Sequence, residues 1–146
     1  MNKIFTLSIV SSLLSLILTG CGAAVTGSYS LNQVGSQFSN PACSQIILAI
    51  NESSGQVTGQ GSNSCFSENL IGTDSTSGVI QVSQLTVMSN PANQTQGNTS
   101  SGMCTYSGTL TVNGSSVSGT LNPSQTQSNY GGYGCSGSIS INGTKN

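Results

Sequence analysis

From Val25 onward, apolar and polar residues alternate with a period of two. Val25, Gly27, Tyr29 and Leu31 share one parity while Thr26, Ser28 and Ser30 take the other, as a half-buried strand requires. Ser44 to Asn51 reads as the most apolar strand, with Ile46, Leu48 and Ile50 inward, and Glu52-Ser53-Ser54-Gly55 turns the chain. Val57-Thr58-Gly59-Gln60 runs back towards Cys65 as a third strand. After a short connection around Phe66, Asn69 to Thr73 is a fourth, and Asp74-Ser75-Thr76-Ser77-Gly78 is a turn by composition. Val79 to Met88 is a fifth strand whose inward parity changes between Val82 and Leu85, which predicts a bulge at Ser83-Gln84. Cys104, Tyr106, Gly108, Leu110 and Val112 form the inward face of a sixth. Asn113-Gly114 is the strongest hairpin signal in the chain. Ser116 to Leu121 returns as a seventh strand, and Cys135, Gly137, Ile139 and Ile141 give an eighth.

Short strands with no helical period place the domain in the all-β class. A recurring tetrad sharpens the architecture. Val25-Thr26-Gly27-Ser28, Val57-Thr58-Gly59-Gln60, Tyr106-Ser107-Gly108-Thr109, Val117-Ser118-Gly119-Thr120 and Cys135-Ser136-Gly137-Ser138 each put a glycine on the inward parity. An inward glycine weakens a flat strand but permits the coiling that a small closed barrel needs. The expected fold is an eight-stranded antiparallel up-and-down barrel, with a two-sheet β-sandwich as the alternative.

All three prolines occur as Asn-Pro in segments that end at a cysteine: Asn40-Pro41 before Cys43, Asn90-Pro91 before Cys104, and Asn122-Pro123 before Cys135. In a meander the connections alternate between two ends. The short turns then share one end with both chain termini, and the long Asn-Pro loops share the other with the four cysteines. Phe38, Phe66, Tyr130 and Tyr133 fall at that long-loop end. Tyrosine among Gly, Ser and Asn suits adaptable recognition loops; the alternative is that these rings only plug the barrel mouth.

Ahead of the barrel, Lys3 and the uncharged run Ile4 to Leu18 have the form of a signal peptide's n- and h-regions, too short for a comfortable membrane span. Leu18-Thr19-Gly20-Cys21 closes that run and resembles the lipobox of bacterial lipoproteins. The resemblance implies a diacylglycerol on the Cys21 sulfur and cleavage before it. Acyl chains such as palmitate, at about 0.8 kcal/mol per buried methylene, would then hold residues 22–146 at a membrane without any spanning helix. Gly22, rather than Asp, follows the cysteine, and in that family this favours the outer membrane, on its periplasmic or surface face. The expected organisation is a signal peptide over 1–20, a lipidated anchor and tether over 21–24, and one β-domain over 25–146.

Composition narrows the function. Beyond the leader the ionisable side chains are Glu52, Glu68, Asp74 and Lys145, so no basic surface exists to meet nucleic-acid phosphates. The chain has no histidine, which removes His-activated nucleophiles and His metal sites. Glu52 and Asp74 are placed in turns at the anchored end and Glu68 at the other. A hydrolytic carboxylate pair, which needs about 5 to 9.5 Å, is therefore not expected except between Glu52 and Asp74, whose leading reading is as solvated turn residues. No catalytic residue, cofactor or metal is expected.

Cys43, Cys65, Cys104 and Cys135 form an even set in an exported chain, which implies two disulfides with three possible connectivities. We expect Cys43 with Cys65 and Cys104 with Cys135. A turn symmetric about Ser54 puts Cys43 directly opposite Cys65, whereas matching the apolar faces prefers a register one residue away. A bulge beside Cys43, where Pro41 interrupts the strand, would reconcile the two. Cys104 and Cys135 would be joined above the seventh strand.

At fold level only, a small barrel with Thr-Gly steps is similar to the avidin and lipocalin group. Avidin-type biotin sites depend on tryptophan and this chain has none, so no ligand is implied. The expected function is that of a non-catalytic binding or envelope component, with a protein, glycan or small apolar ligand at the distal loops. The alternative is a carrier of a small apolar ligand inside the barrel. An apolar interior left empty by its glycines would favour the carrier; one filled by Ile, Leu, Val and Tyr would favour the binding module.

Overall fold

A computed structural model describes residues 25–35, 41–76, 78–89, 103–125, 135 and 137–146. The strands are β1 (Gly27–Val34), β2 (Gln45–Ser53), β3 (Gln56–Ser62), β4 (Phe66–Thr76), β5 (Val79–Ser89), β6 (Met103–Asn113), β7 (Ser116–Gln125) and β8 (Ile139–Lys145). Each pairs antiparallel with the next, and β8 pairs with β1, so the sheet closes into an eight-stranded up-and-down barrel.

Period-two patterning produces the inside and the outside. Tyr29, Leu31, Leu48, Ile50, Val57, Leu70, Ile80, Leu85, Tyr106, Leu110, Leu121 and Ile139 are buried in one continuous core. The interior is thus filled by side chains. Glycines on the inward face sit beside the largest of them: Gly61 opposite Leu48, Gly119 opposite Leu110, Gly143 opposite Leu31. A Cβ on Gly119 would collide with the Thr109 carbonyl and lie 2.8 Å from Leu110 Cδ2; one on Gly143 would lie 2.8 Å from Leu31 Cδ2. Small positions against large ones let strongly coiled strands close around a packed core.

Most outward positions are hydroxyls and amides, among them Ser28, Ser30 and Asn32 on β1, Thr58 and Gln60 on β3, and Ser118 and Thr120 on β7, with Val34, Ile47 and Ile71 as apolar exceptions. Apolar inside and polar outside is the inverse of a barrel that spans a bilayer. Glu52, Glu68, Asp74 and Lys145 all occupy the inward parity of their strands, at the ends of the barrel, so the outer wall is uncharged among the described residues.

The register departs from the sequence reading at both hairpins. Ser53 faces Gln56, leaving Ser54-Gly55 as a two-residue turn with φ of 54° and 79°, the type I′ pattern. This is the register that matches the apolar faces, and a slip of one residue would turn every inward side chain of the strand outward. Cys43 is therefore not opposite Cys65 in a ladder, and no bulge is needed, because both cysteines lie beyond the strand ends. Asn113 faces Ser116, so the β6–β7 turn is Gly114-Ser115 with Gly114 at φ 59°, one residue on from Asn113-Gly114 and of type II′ pattern. The β5 irregularity does lie between Val82 and Leu85.

Other boundaries also move. β4 runs from Phe66 to Thr76 rather than from Asn69 to Thr73, so Asp74 is a half-buried strand residue and not a solvated turn residue. β7 continues through Pro123, which stands at a register shift between Thr105 and Tyr106 of β6, where a missing N–H is tolerated. β8 starts only at Ile139: Gly137 is exposed with φ 86°, so the fifth tetrad is not a strand with an inward glycine.

Candidate functional site at the disulfide-bearing mouth

The short β2–β3, β4–β5 and β6–β7 connections, Val25 and Asn146 lie at one end of the barrel. The strand ends that flank the β1–β2, β3–β4, β5–β6 and β7–β8 connections lie at the other, the distal mouth. Cys43 is bonded to Cys65 and Cys104 to Cys135, with Cα–Cα separations of 5.5 Å in both. Cys43–Cys65 thus joins two segments beyond the strand ends, and Cys104–Cys135 joins β6 to the residues ahead of β8.

Asn63 fixes the first of these corners. Its Nδ2 donates to the carbonyls of Cys43 (3.0 Å) and Gln45 (2.8 Å), and its Oδ1 accepts from the amides of Cys65 and Phe66 (2.8 Å each). One short side chain thereby satisfies two carbonyls before β2 and two amides at the start of β4. Phe66 is half-buried and packs against the core as the first residue of β4, so it is a wall residue of the mouth and not a loop residue.

Inside the mouth, a polar pair spans the barrel. Gln33, near the end of β1, donates from Nε2 to Glu68 Oε2 on β4 at 2.8 Å. Both side chains are buried, at 1% and 4% exposure. Glu68 Oε1 and Gln33 Oε1 have no hydrogen-bond partner. Cross-strand from Glu68 stand Gly61 and Val87, which offer no donor. The only basic residues in the sequence are Lys3, outside the described residues, and Lys145, at the opposite end of the barrel above the Tyr29 ring. With no cation to stabilise it, burial pushes the Glu68 carboxyl up to about 7, against a smaller opposing effect from the Gln33 hydrogen bond. A protonated carboxyl supplies the donor that two unpartnered acceptors lack.

The other end is sealed differently. Tyr29 donates its hydroxyl to the Val25 carbonyl at 2.7 Å, and its burial raises the phenol pKa. Glu52 accepts from the Gly55 amide at 2.7 Å, and the Asp74 amide donates to the Gly55 carbonyl at 2.9 Å. Glu52 therefore holds its own turn. Asn146 ties the C-terminus to β1 by donating its backbone N–H to the Ser28 carbonyl at 2.8 Å.

Cys21, Phe38, Tyr130 and Tyr133 lie outside the described residues. Gln33 and Asn63 escaped the sequence reading, and Glu68 was placed at this end without its burial or its partner, although Gln33 continues the parity of Tyr29 and Leu31, and Glu68 that of Leu70. Ending each strand at its last apolar residue hid both. Among the described residues, no group of three His, Cys, Asp or Glu side chains could hold a metal ion. A buried carboxyl can exchange a proton and orient a donor. Comparison with protein families, curated proteins and solved structures finds no match to this chain.

Proposed function

We propose that this chain is a lipid-anchored bacterial envelope protein whose barrel is a rigid, non-catalytic binding module. The observation that carries the reading is the polarity of the barrel. Val25, four residues after Cys21, and the tight turns share one end, while both disulfides and the strand ends that flank the longer connections share the other. A lipid on Cys21 then puts the turn end against the membrane and the disulfide-bearing mouth away from it, towards partners at the periplasmic or surface face of the outer membrane. Two disulfides in a domain of this size accord with an exported location. The filled interior favours a binding surface over a carrier, since the core side chains occupy the volume that an apolar ligand would need.

Mass spectrometry of the membrane fraction tests the anchor: a mature N-terminus at Cys21 carrying acyl chains is expected, and an unmodified N-terminus at another residue refutes it. Capture from intact cells with the lipidated protein tests the module. Tyr130→Ser with Tyr133→Ser should abolish capture without lowering the melting temperature if those rings serve recognition, whereas a large drop in melting temperature assigns them to plugging the mouth.

A further inference from the structure

On the outer wall, β8, β1, β2 and the end of β3 enclose an open groove of about 480 Å³. Asn32 on β1 is the direct cross-strand partner of Asn142 on β8 and of Gln45 on β2, so three amide side chains stand in one row across three strands. In the next row, Ser30 faces Ile47, and Ile47 faces Ser62. Ile47 is 59% exposed and supplies an apolar patch among the polar groups.

Much of the wall is Ser, Thr, Asn or Gln. Some of these groups engage one another or the backbone: Thr109 Oγ1 donates to Gln81 Oε1 at 3.1 Å, Gln84 Nε2 to Thr86 Oγ1 at 2.9 Å, Ser83 Oγ to the Ile71 carbonyl at 3.0 Å and, beside the groove's row of amides, Ser30 Oγ to Asn146 Oδ1 at 2.7 Å. In the groove, the side chains of Asn32, Gln45, Ser62 and Asn142 make no hydrogen bond to another described residue. The backbone beneath them is nonetheless held firmly. The strands belong to a closed sheet, and Asn63 clamps the groove's end to the Cys43–Cys65 corner. Unengaged side chains on a rigid frame bind with little ordering of the protein itself.

The chemistry of the lining selects the ligand. An amide presents a donor and an acceptor in one plane, which matches neighbouring hydroxyls that each donate and accept. Ile47 offers a surface to the C–H face of a ring. No ionisable side chain lines the groove, and those of the barrel lie at its ends, so phosphate, carboxylate or ammonium groups would be desolvated without a counter-charge. The volume lies within the range of about 300–1,000 Å³ usual for ligand sites. We propose that this groove binds a neutral saccharide, with Asn32, Gln45 and Asn142 reading its hydroxyls and Ile47 packing beneath a ring. The proposal rests on the binding-module reading and names its ligand class.

The test uses the lipidated full chain in detergent, on an array of neutral oligosaccharides printed beside sialylated and sulfated ones, followed by titration calorimetry with the best neutral binder. Neutral glycans should be retained in preference to charged ones. Asn32→Leu and Asn142→Leu, on different strands and both outward-facing, should each weaken the titrated affinity at least about ten-fold, equivalent to about 1.4 kcal/mol. Thr120→Leu, on the wall away from the groove, should leave it unchanged, and melting curves confirm that each barrel is folded. Retention of no neutral glycan, a preference for charged ones, or affinity insensitive to both asparagine variants overturns the proposal. Binding that survives those variants but is lost in the Tyr130→Ser, Tyr133→Ser protein would overturn the groove alone and leave the binding module standing.

Discussion

Replacing Glu68 by glutamine should make the barrel more stable at pH 8 while leaving it nearly unchanged at pH 5. The wild-type carboxyl is buried, and its pKa rises from 4.5 to about 7 on folding. Between those values the native state keeps a proton that the unfolded chain has lost, so unfolding releases it and rising pH favours unfolding. The stabilisation from the protonated group is full below pH 4.5 and is lost as pH rises through about 7. At about 1.4 kcal/mol per pH unit, the whole interval is worth about 3 kcal/mol. For a domain of this size that corresponds to roughly 10 °C in melting temperature. The substituted side chain would be isosteric and never ionise, and its amide oxygen can still accept the Gln33 N–H. Thermal and urea unfolding from pH 4.5 to 8.5 would show a wild-type decline that is flat in the variant, and carbon-13 NMR of the Glu68 carboxyl would locate its midpoint near neutrality. A wild-type profile without that decline, a decline that persists in Glu68→Gln, or a carboxyl titrating in the ordinary carboxylate range would each refute the reasoning.

Two further outcomes follow from packing and hydrogen bonding. Gly119→Ala forces a methyl group against the Thr109 carbonyl and Leu110 and should cost about 1–3 kcal/mol in urea unfolding, whereas Ser118→Ala, on the exposed face next to it, should change stability by less than about 0.5 kcal/mol. Asn63→Ala removes four hydrogen bonds at the Cys43–Cys65 corner and should cost about 2–4 kcal/mol, with faster amide exchange at Cys65 and Phe66 but not at the β6–β7 turn.

Strand identity was legible in the sequence because it depends on a local rule. Alternation at Tyr29-Leu31, Ile46-Leu48-Ile50 and Tyr106-Gly108-Leu110 assigns a face to each residue whatever the partner strand, and the parity change between Val82 and Leu85 marks its own bulge. The separation of tight turns from long connections is equally local, since Ser54-Gly55 and Gly114-Ser115 are short in any antiparallel meander. Closure of β8 on β1 was the expectation from the inward glycines, with a sandwich as the alternative, and the structure bears it out; the register of each ladder and the neighbours within the barrel were decided only by the tertiary structure. Cys43 and Cys65 meet outside the ladder because the apolar faces of β2 and β3, acting together, outweigh symmetry about one turn residue. Gln33 and Glu68 meet because closure brings β1 and β4 across the same interior, 35 residues apart in the chain. No local pattern reports that distance, and the polar character of both residues makes each strand look finished before it is. Asn63 is similarly one asparagine among many until folding brings two carbonyls and two amides to its side chain. Alternation sets which way a side chain points, whereas what it meets there depends on pairings distant in sequence, made together when the barrel closes.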